Sequence, residues 1–198
     1  MSASLLQRAP ELSEQHKKTV ERLGRAAERL VAMVGPLAEL TRLFVAGAMQ
    51  LERRPVQLHD LCRQVIRDLE ADHPGRVLFE ASGDGQGSWD LDRLVQVVHE
   101  VTMNALDHGA PSEPVLLSAE DDGDMVQLTV GNAGAIAPDV AGLLFDPFAR
   151  AELPHTRRSH RLGLGLYLAD QAVRAHAGTL TVSSDGDRTT ATLRLPRG

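Results

Sequence analysis

Aromatic residues are nearly missing from this chain: Phe, Trp and Tyr together make up 3% of its 198 residues, against 42% hydrophobic overall. A core is possible, but it must be aliphatic. Cysteine is scarcer still. The single Cys62 excludes an intrachain disulfide framework and suits a reducing compartment. It lies in an apolar-periodic stretch and reads as a small core residue rather than a nucleophile. No apolar run approaches the ~20 residues that span a bilayer, and the first residues lack a signal-peptide pattern. A soluble, cytoplasmic chain is therefore expected. A basic excess is also missing: 21 Lys and Arg face 27 Asp and Glu, net −6, which argues against a general nucleic-acid binder. The length fits one domain with an appendage, or two small domains.

What is present begins with a long helix. From about Ser13, an N-cap after "APEL", to Ala46, the residues Val20, Leu23, Ala27, Leu30, Val34, Leu37, Thr41 and Phe44 alternate three- and four-residue spacings. Ala26, Met33 and Leu40 widen the stripe toward a bundle face. Pro36, after Gly35, predicts a kink or a break. A lone helix of this kind cannot bury its stripe, and no other segment carries matching heptads, so a homodimer through this segment is expected. Beyond it "LERRPVQL" is a short extended piece and His59 to Glu70 an amphipathic helix with Leu61, Val65, Ile66 and Leu69 inward. "RVLFEAS" is a strand and "GDGQGS" a glycine-rich turn. Asp90 to His108 is a helix with Leu94, Val97, Val98 and Val101 inward. "VLLSAE" and "MVQLTVGN" form a hairpin across "DDGD". Pro138 to Arg161 reads as a loop, Leu164 to Ala177 as a helix closed by Gly178, and "TLTVSS" with "TTATLRLP" as a last hairpin. The expected fold is α+β: a two-layer sandwich in which helices cover one face of a mixed sheet.

Four stretches are candidates for chemistry. In "HEVTMNALDHG", Glu100, Asn104 and His108 recur every four residues and share one helix face. "VGNAGAI" runs from a strand end into a turn, with Asn132 able to aim an amide into a pocket and Gly134 at the bend. "LFDPFAR" sets Phe145 and Phe148 around Pro147 and ends in Arg150, an apolar anchor for a loop. "SHRLGLGLYLADQAVRAHAG" places Gly163 and Gly165 before a helix, behind the basic run "HTRRSHR", where backbone N–H groups and the macrodipole favour a polyanion. Taken singly, each has an ordinary reading: a solvated helix face, a turn, a loop anchor, a charged surface. Their order on these elements is what is specific.

In that order, the chain from about Leu51 to Pro196 resembles the ATP-binding domain of sensor histidine kinases, whose Bergerat fold is shared with gyrase and the Hsp90 chaperones. "HEVTMNALDHG" is similar to the asparagine box, "VGNAGAI" to the first glycine box, "LFDPFAR" to the phenylalanine box, and "RLGLGLYLADQAVRAHAGTLTVSS" to the second glycine box with its following helix and strand. The helix running to "LAELTRLFVAGAMQLERRPVQL" resembles the second helix of the dimerisation and phosphoacceptor hairpin. The resemblance implies a partial dimerisation segment over 1–50 and an ATP-binding domain over 51–198. It implies ATP and Mg²⁺ as cofactors, with Asn104 as the metal ligand and His108 near the phosphates. Asn132 would face the adenine amino group, and Gly134 would admit the nucleotide to the backbone. Glu100 stands where many kinases have a first asparagine and gyrase-like relatives a glutamate that activates water. Residues 146–162 would be the nucleotide lid, with Arg150 and the Arg157, Arg158 and Arg161 cluster close to the triphosphate. Gly163, Leu164 and Gly165 would offer backbone N–H groups to it.

The departures are specific. Asn132 replaces the usual aspartate, the first glycine box is one residue short and lacks its second glycine, Arg161 replaces the first glycine of the second box, and Asp107 stands where lysine is common. The phosphoacceptor histidine motif is absent, and "SASLLQRAPELSE" looks like the tail of the first hairpin helix; His16 reads as an exposed helix residue. Three functions follow from the resemblance. The first is Mg-ATP binding for phosphoryl transfer to a histidine not in this chain, with a response regulator receiver domain as partner. The second is a degenerate pseudokinase scaffold that dimerises and binds a regulator or kinase without nucleotide. The third is an anti-sigma-type serine kinase, against which the heptad helix argues.

Overall fold

The computed structural model describes residues 14–47, 49–147 and 163–198. Helix α1 (Glu14–Ala46) runs without interruption through Pro36. The proline removes one N–H from the ladder, but it is accommodated inside a continuous helix and does not divide it. Ser13 lies outside the described residues. Near its C-terminal end α1 is fastened to the rest of the chain. Leu40 is buried with Leu164 and Leu168, beside Leu43 and Tyr167. Glu39 accepts from Arg93 and, at 3.1 Å, from Gln96 Nε2. The adjoining face is open: Leu23, Val34, Leu37 and Phe44 are 65%, 64%, 48% and 72% exposed.

The remainder forms two layers. Strand β1 (Arg54–Gln57) leads directly into α2 (Leu58–Glu70), whose first turn is capped by the Gln57 side chain accepting from His59 N–H. Strand β2 is Val77–Ala81, β3 Gln86–Trp89, and α3 Leu91–His108, with Asp90 as N-cap accepting from Arg93 N–H. Then follow β4 (Val115–Asp122), β5 (Met125–Ala133), the short α4 (Pro138–Ala141), α5 (Gly165–Ala175), β6 (Thr179–Asp185) and β7 (Arg188–Pro196). The main sheet has the order β2-β4-β5-β7-β6; β2 and β4 are parallel and the other pairs antiparallel.

Alternation on the strands builds the core. Val115, Leu117 and Ala119 of β4, Val126, Leu128 and Val130 of β5, and Ala191, Leu193 and Leu195 of β7 all turn toward α2, α3 and α5. Leu94, Val97, Val98 and Val101 meet them from α3, as the helical spacing requires. On the opposite face Leu78 and Leu116, register partners, stay half exposed. Cys62 is fully buried, and burial pushes its thiol up to about 12, which removes it from nucleophilic chemistry. The expected α+β architecture, a mixed sheet covered on one face, is the one observed.

Three details differ from the sequence reading. The segment expected as a loop from Pro138 opens with the one-turn helix α4, Pro138 standing in its first turn, where a missing N–H costs no helical bond. Half of "GDGQGS" is strand: β3 pairs antiparallel with β1 in a separate two-stranded sheet. Gly87 is there because the buried Trp89 ring lies across it; an added Cβ would fall 2.3 Å from the ring. At the end of α5 the left-handed residue is Ala177 (φ 60°), not Gly178. Ala177 N–H bonds Arg174 O and Gly178 N–H bonds Val173 O, a Schellman ending. Gly178 serves a different need: a Cβ there would stand 2.5 Å from Arg194 O of β7.

Candidate functional site

A cavity of about 470 Å³ opens where α3, the C-terminal end of β5 and the start of α5 converge. That is the size of a pocket for a cofactor-sized ligand. Asn104, His108, Asn132 and Gly134, the candidates from the sequence motifs, all stand on its wall. The helical spacing delivers the first two. Asn104 donates Nδ2 to Glu100 O at 2.8 Å, which folds its side chain back along α3. His108 and Asp107 occupy the exposed rim at the last turn.

Asn132 is the buried polar group of the site, 5% exposed. Its Nδ2 donates to Ala133 O at 3.0 Å, and Ala110 N–H donates to the same oxygen at 2.9 Å. One N–H of the amide is thereby used inside the protein, and Oδ1 is the acceptor the side chain can offer a ligand. Glycines make the crowding around it feasible. A Cβ on Gly109 would meet Ala105 O at 2.5 Å and Asn132 Cβ at 3.1 Å. Gly134 has φ 123°, outside the range of L-residues, and its Cβ would lie 3.1 Å from His108 O. Gly134 N–H bonds Asp187 O and its carbonyl accepts from Thr189 Oγ1 at 2.7 Å, so the strand end is held by β7.

Gly163 (φ 73°) leads through Leu164 into α5, and among the described residues no side chain caps that helix. A helix start without a side-chain cap is one whose first N–H groups can receive an anion. Gly165 allows Glu100 to approach: a Cβ would lie 2.2 Å from the Glu100 Oε2. Glu100 therefore sits at the N-terminal turn of α5, not on the cavity wall. Leu164 turns its side chain into the contact with α1, where it is 1% exposed, and only its backbone faces the helix start. Phe145 packs on the core. Phe148, Arg150, Arg157, Arg158 and Arg161 lie outside the described residues.

The apolar part of the cavity was not legible in the motifs. Val130 of β5, Val182 of β6, Ala191 of β7, Leu166 of α5 and Leu144 after α4 line it together with Thr189. Thr189 is the register partner of Asn132, a relation that exists only once β7 is known to lie beside β5. The mix of an apolar slot, one buried amide and uncapped helix N–H groups suits a flat heterocycle carrying an anionic tail.

Comparison with known proteins agrees with this geometry. A family model described as "Histidine kinase-, DNA gyrase B-, and HSP90-like ATPase" matches residues 89–198. A bacteriophytochrome of Pseudomonas aeruginosa is 31% identical over 192 residues, covering 93% of this chain and 26% of its own length. Among solved structures, full-length ShkA in complex with AMPPNP superposes with TM-score 0.80 at 24% identity, over 98% of this chain and 41% of that one. Histidine kinase ThkA, crystallised in complex with the response regulator protein TrrA, superposes with TM-score 0.67 at 20% identity, over 96% and 53%. The chain spans a quarter to a half of the length of the curated relatives it matches. Among the described residues no helix is long and apolar enough to cross a membrane.

Proposed function

This chain belongs to the histidine kinase-, DNA gyrase B- and HSP90-like ATPase family, and from that membership we propose that it is the Mg-ATP-binding, catalytic part of a two-component sensor kinase that transfers phosphate to a histidine outside this sequence. The observation that carries the reading is the cavity itself, which gathers Asn104, His108, Asn132 and Gly134 on one wall and ends at the glycine-led start of α5. Adenine would lie in the apolar slot, its amino group donating to Asn132 Oδ1, with Gly134 giving it close access to the backbone. The phosphates would run past His108 toward the N–H groups of Gly163, Leu164 and Gly165, with Arg150 and Arg161 as their cationic partners.

The residues fit a magnesium ion of the kind that nucleotides bring with them. Mg²⁺ takes oxygen donors, keeps several waters and relies on phosphates for the rest of its shell. Asn104 supplies an amide oxygen on the pocket wall, and no group of three or more His, Cys, Asp or Glu forms a cage among the described residues. Bound there, the ion would neutralise phosphate charge. The protein's own work is positioning and charge stabilisation, which dominate phosphoryl transfer. Glu100, at the N-terminal turn of α5, is the group we assign to orient and deprotonate the attacking nucleophile.

Calorimetric titration with ADP and a non-hydrolysable ATP analogue, with and without Mg²⁺, tests this. Saturable binding that Mg²⁺ strengthens is expected, and Asn104→Ala should remove the Mg²⁺ dependence while retaining ADP. Silence at millimolar nucleotide would end the reading.

We further infer that residues 1–50 are a dimerisation segment and 51–198 the nucleotide domain, with a receiver domain as the signalling partner. The open apolar face of α1 supports the first part, because Leu23, Val34, Leu37 and Phe44 are all exposed. Sedimentation equilibrium should return a dimer. Val34→Glu with Leu37→Glu should give a monomer whose ADP affinity is unchanged; a monomeric wild type would refute the assignment.

A further inference from the structure

We propose that Arg76, which lies outside every motif of the site, is a positioning residue for the adenine-reading amide of Asn132. The inference rests on the nucleotide reading of the cavity and deepens it. Arg76 stands just before β2, at the far side of the turn that follows α3. Its Nη2 donates to Ala110 O at 3.2 Å and Glu113 O at 3.3 Å, so one guanidinium nitrogen ties both ends of that turn. The turn closes on itself through Glu113 N–H to Ala110 O at 3.1 Å. The Nε of the same guanidinium is buried and has no partner among the described residues. An orientation that leaves a buried donor unpaired is one dictated by the bonds it does make, to the two carbonyls.

From the turn the connection to the cavity is direct. Ala110, whose carbonyl Arg76 holds, gives its N–H to Ala133 O, the oxygen that also receives Asn132 Nδ2. Gly109, one residue earlier, is packed so closely on Asn132 that a Cβ would lie 3.1 Å from Asn132 Cβ and 3.3 Å from its Nδ2. Gly134 in turn rests against His108 O and Gly109. The amide of Asn132 is fixed by a shared acceptor and by backbone contact, and both belong to the turn that Arg76 clamps. If that turn loosens, Ala133 O loses one of its two donors and the Nδ2 of Asn132 loses its wall. The amide then rotates, and Oδ1 is no longer held toward the base. Recognition of an amino group over a carbonyl at that position of the purine weakens accordingly.

A purely structural role makes a different forecast. The backbone bond of Val115 N–H to Arg76 O, at 2.8 Å, starts the β2–β4 ladder and does not depend on the side chain. Arg76→Met keeps that bond and the aliphatic stem and removes only the donors; Arg76→Lys restores one cationic donor. Leu69→Ala, in the buried face of α2 and not on the cavity wall, supplies a comparator that is destabilised while every Arg76 donor stays in place. All four proteins are compared, folded by circular dichroism, for Ala110 amide exchange by NMR and for ADP and GDP affinity by titration.

In Arg76→Met, Ala110 exchange should quicken about tenfold and ADP affinity should fall about tenfold, with GDP little changed, so the ADP preference narrows. Arg76→Lys should recover part of both, and Leu69→Ala should keep the wild-type ADP to GDP ratio. The proposal is overturned if Arg76→Met leaves either Ala110 exchange or the ratio unaltered, or if Leu69→Ala narrows the ratio equally. A wild type that bound neither nucleotide would defeat the reading of the cavity instead, and Ala110 exchange alone would still decide whether Arg76 holds the turn.

Discussion

Replacing Gly134 with alanine should lower folding stability by about 2 kcal/mol and nucleotide affinity by about tenfold or more. The two effects have separate origins. At φ 123° the backbone lies where an L-residue is strained, whatever space surrounds it. The added Cβ also arrives 3.1 Å from His108 O, a backbone atom that cannot swing aside as a flexible side chain would. Relief requires the end of β5 to move away from the last turn of α3. Those two segments carry Asn132 and His108, so the strain is released into the cavity wall itself. Gly123→Ala separates the terms. Gly123 (φ 62°) sits in the β4–β5 hairpin turn, and among the described residues no atom beyond its own chain neighbours lies within 4 Å of the place an added methyl group would take. It should cost about 1 kcal/mol in chemical denaturation and leave nucleotide titration unchanged. A Gly134→Ala protein that bound ADP as the wild type does would show that the cavity tolerates movement at this junction.

The contrast between these two glycines also marks what a sequence can disclose. Local rules reached most of the elements. The Leu94, Val97, Val98, Val101 stripe marks α3 because its spacing is a property of that helix alone, and glycine–aspartate turns mark both hairpins. The site motifs were legible for the same reason: Asn104 and His108 are one turn apart, and Asn132 and Gly134 bracket one strand end. What was not legible is non-local. β3 was hidden because Gly87 weakens strand propensity, and the Trp89 ring that requires it is positioned by Pro196 O, which accepts from its Nε1 at 2.7 Å. The glycine expected to close α5 is instead demanded by β7, far onward in the chain at Arg194. Leu164 reads as part of a phosphate loop by its neighbours, yet its side chain belongs to a contact with Leu40 of α1. Thr189 and Arg76 needed the sheet order before either had any relation to Asn132. Each omission is a contact between elements whose adjacency no periodicity encodes.

His176→Leu should cost about 3 kcal/mol near neutral pH, and the deficit should shrink as the medium is acidified. His176 is fully buried where the start of α3 meets the end of α5. Its Nε2 accepts from Asp90 N–H at 2.9 Å and its Nδ1 donates to Ala172 O at 2.7 Å, which requires the neutral ring with the proton on Nδ1. Leucine fills much of the volume but leaves Asp90 N–H without a partner and takes the side-chain bond from Ala172 O, which keeps only the backbone N–H of residue 176 at 3.2 Å; an unpaired buried group costs about 1–3 kcal/mol. The pH dependence follows from the same geometry. Burial, aided by the nearby Arg53 charge, pushes the folded-state pKa below the ordinary 6.5, outweighing the opposing pull of the Ala172 hydrogen bond and Asp90. The unfolded chain therefore takes up the proton first as pH falls, and unfolding becomes easier below about 6.5, down to the folded-state value. Above about 6.5 neither state is protonated and the contribution is full and flat. Urea denaturation of both proteins from pH 8 to pH 5 isolates this residue from the other histidines, because those are the same in both. The wild-type advantage should be constant down to about pH 6.5 and then decline; an advantage that held steady to pH 5 would mean the ring is not held neutral. The functional weight of the residue lies in what it joins. Asp90 caps the helix that carries Asn104 and His108, and accepts from Glu52 N–H in the segment leading from α1. Ala172 lies on the helix that Gly165 begins. One neutral imidazole thus fixes the far ends of the two helices whose near ends form the candidate site, and a ligand that needs both ends in register should bind less tightly to His176→Leu even at pH 8.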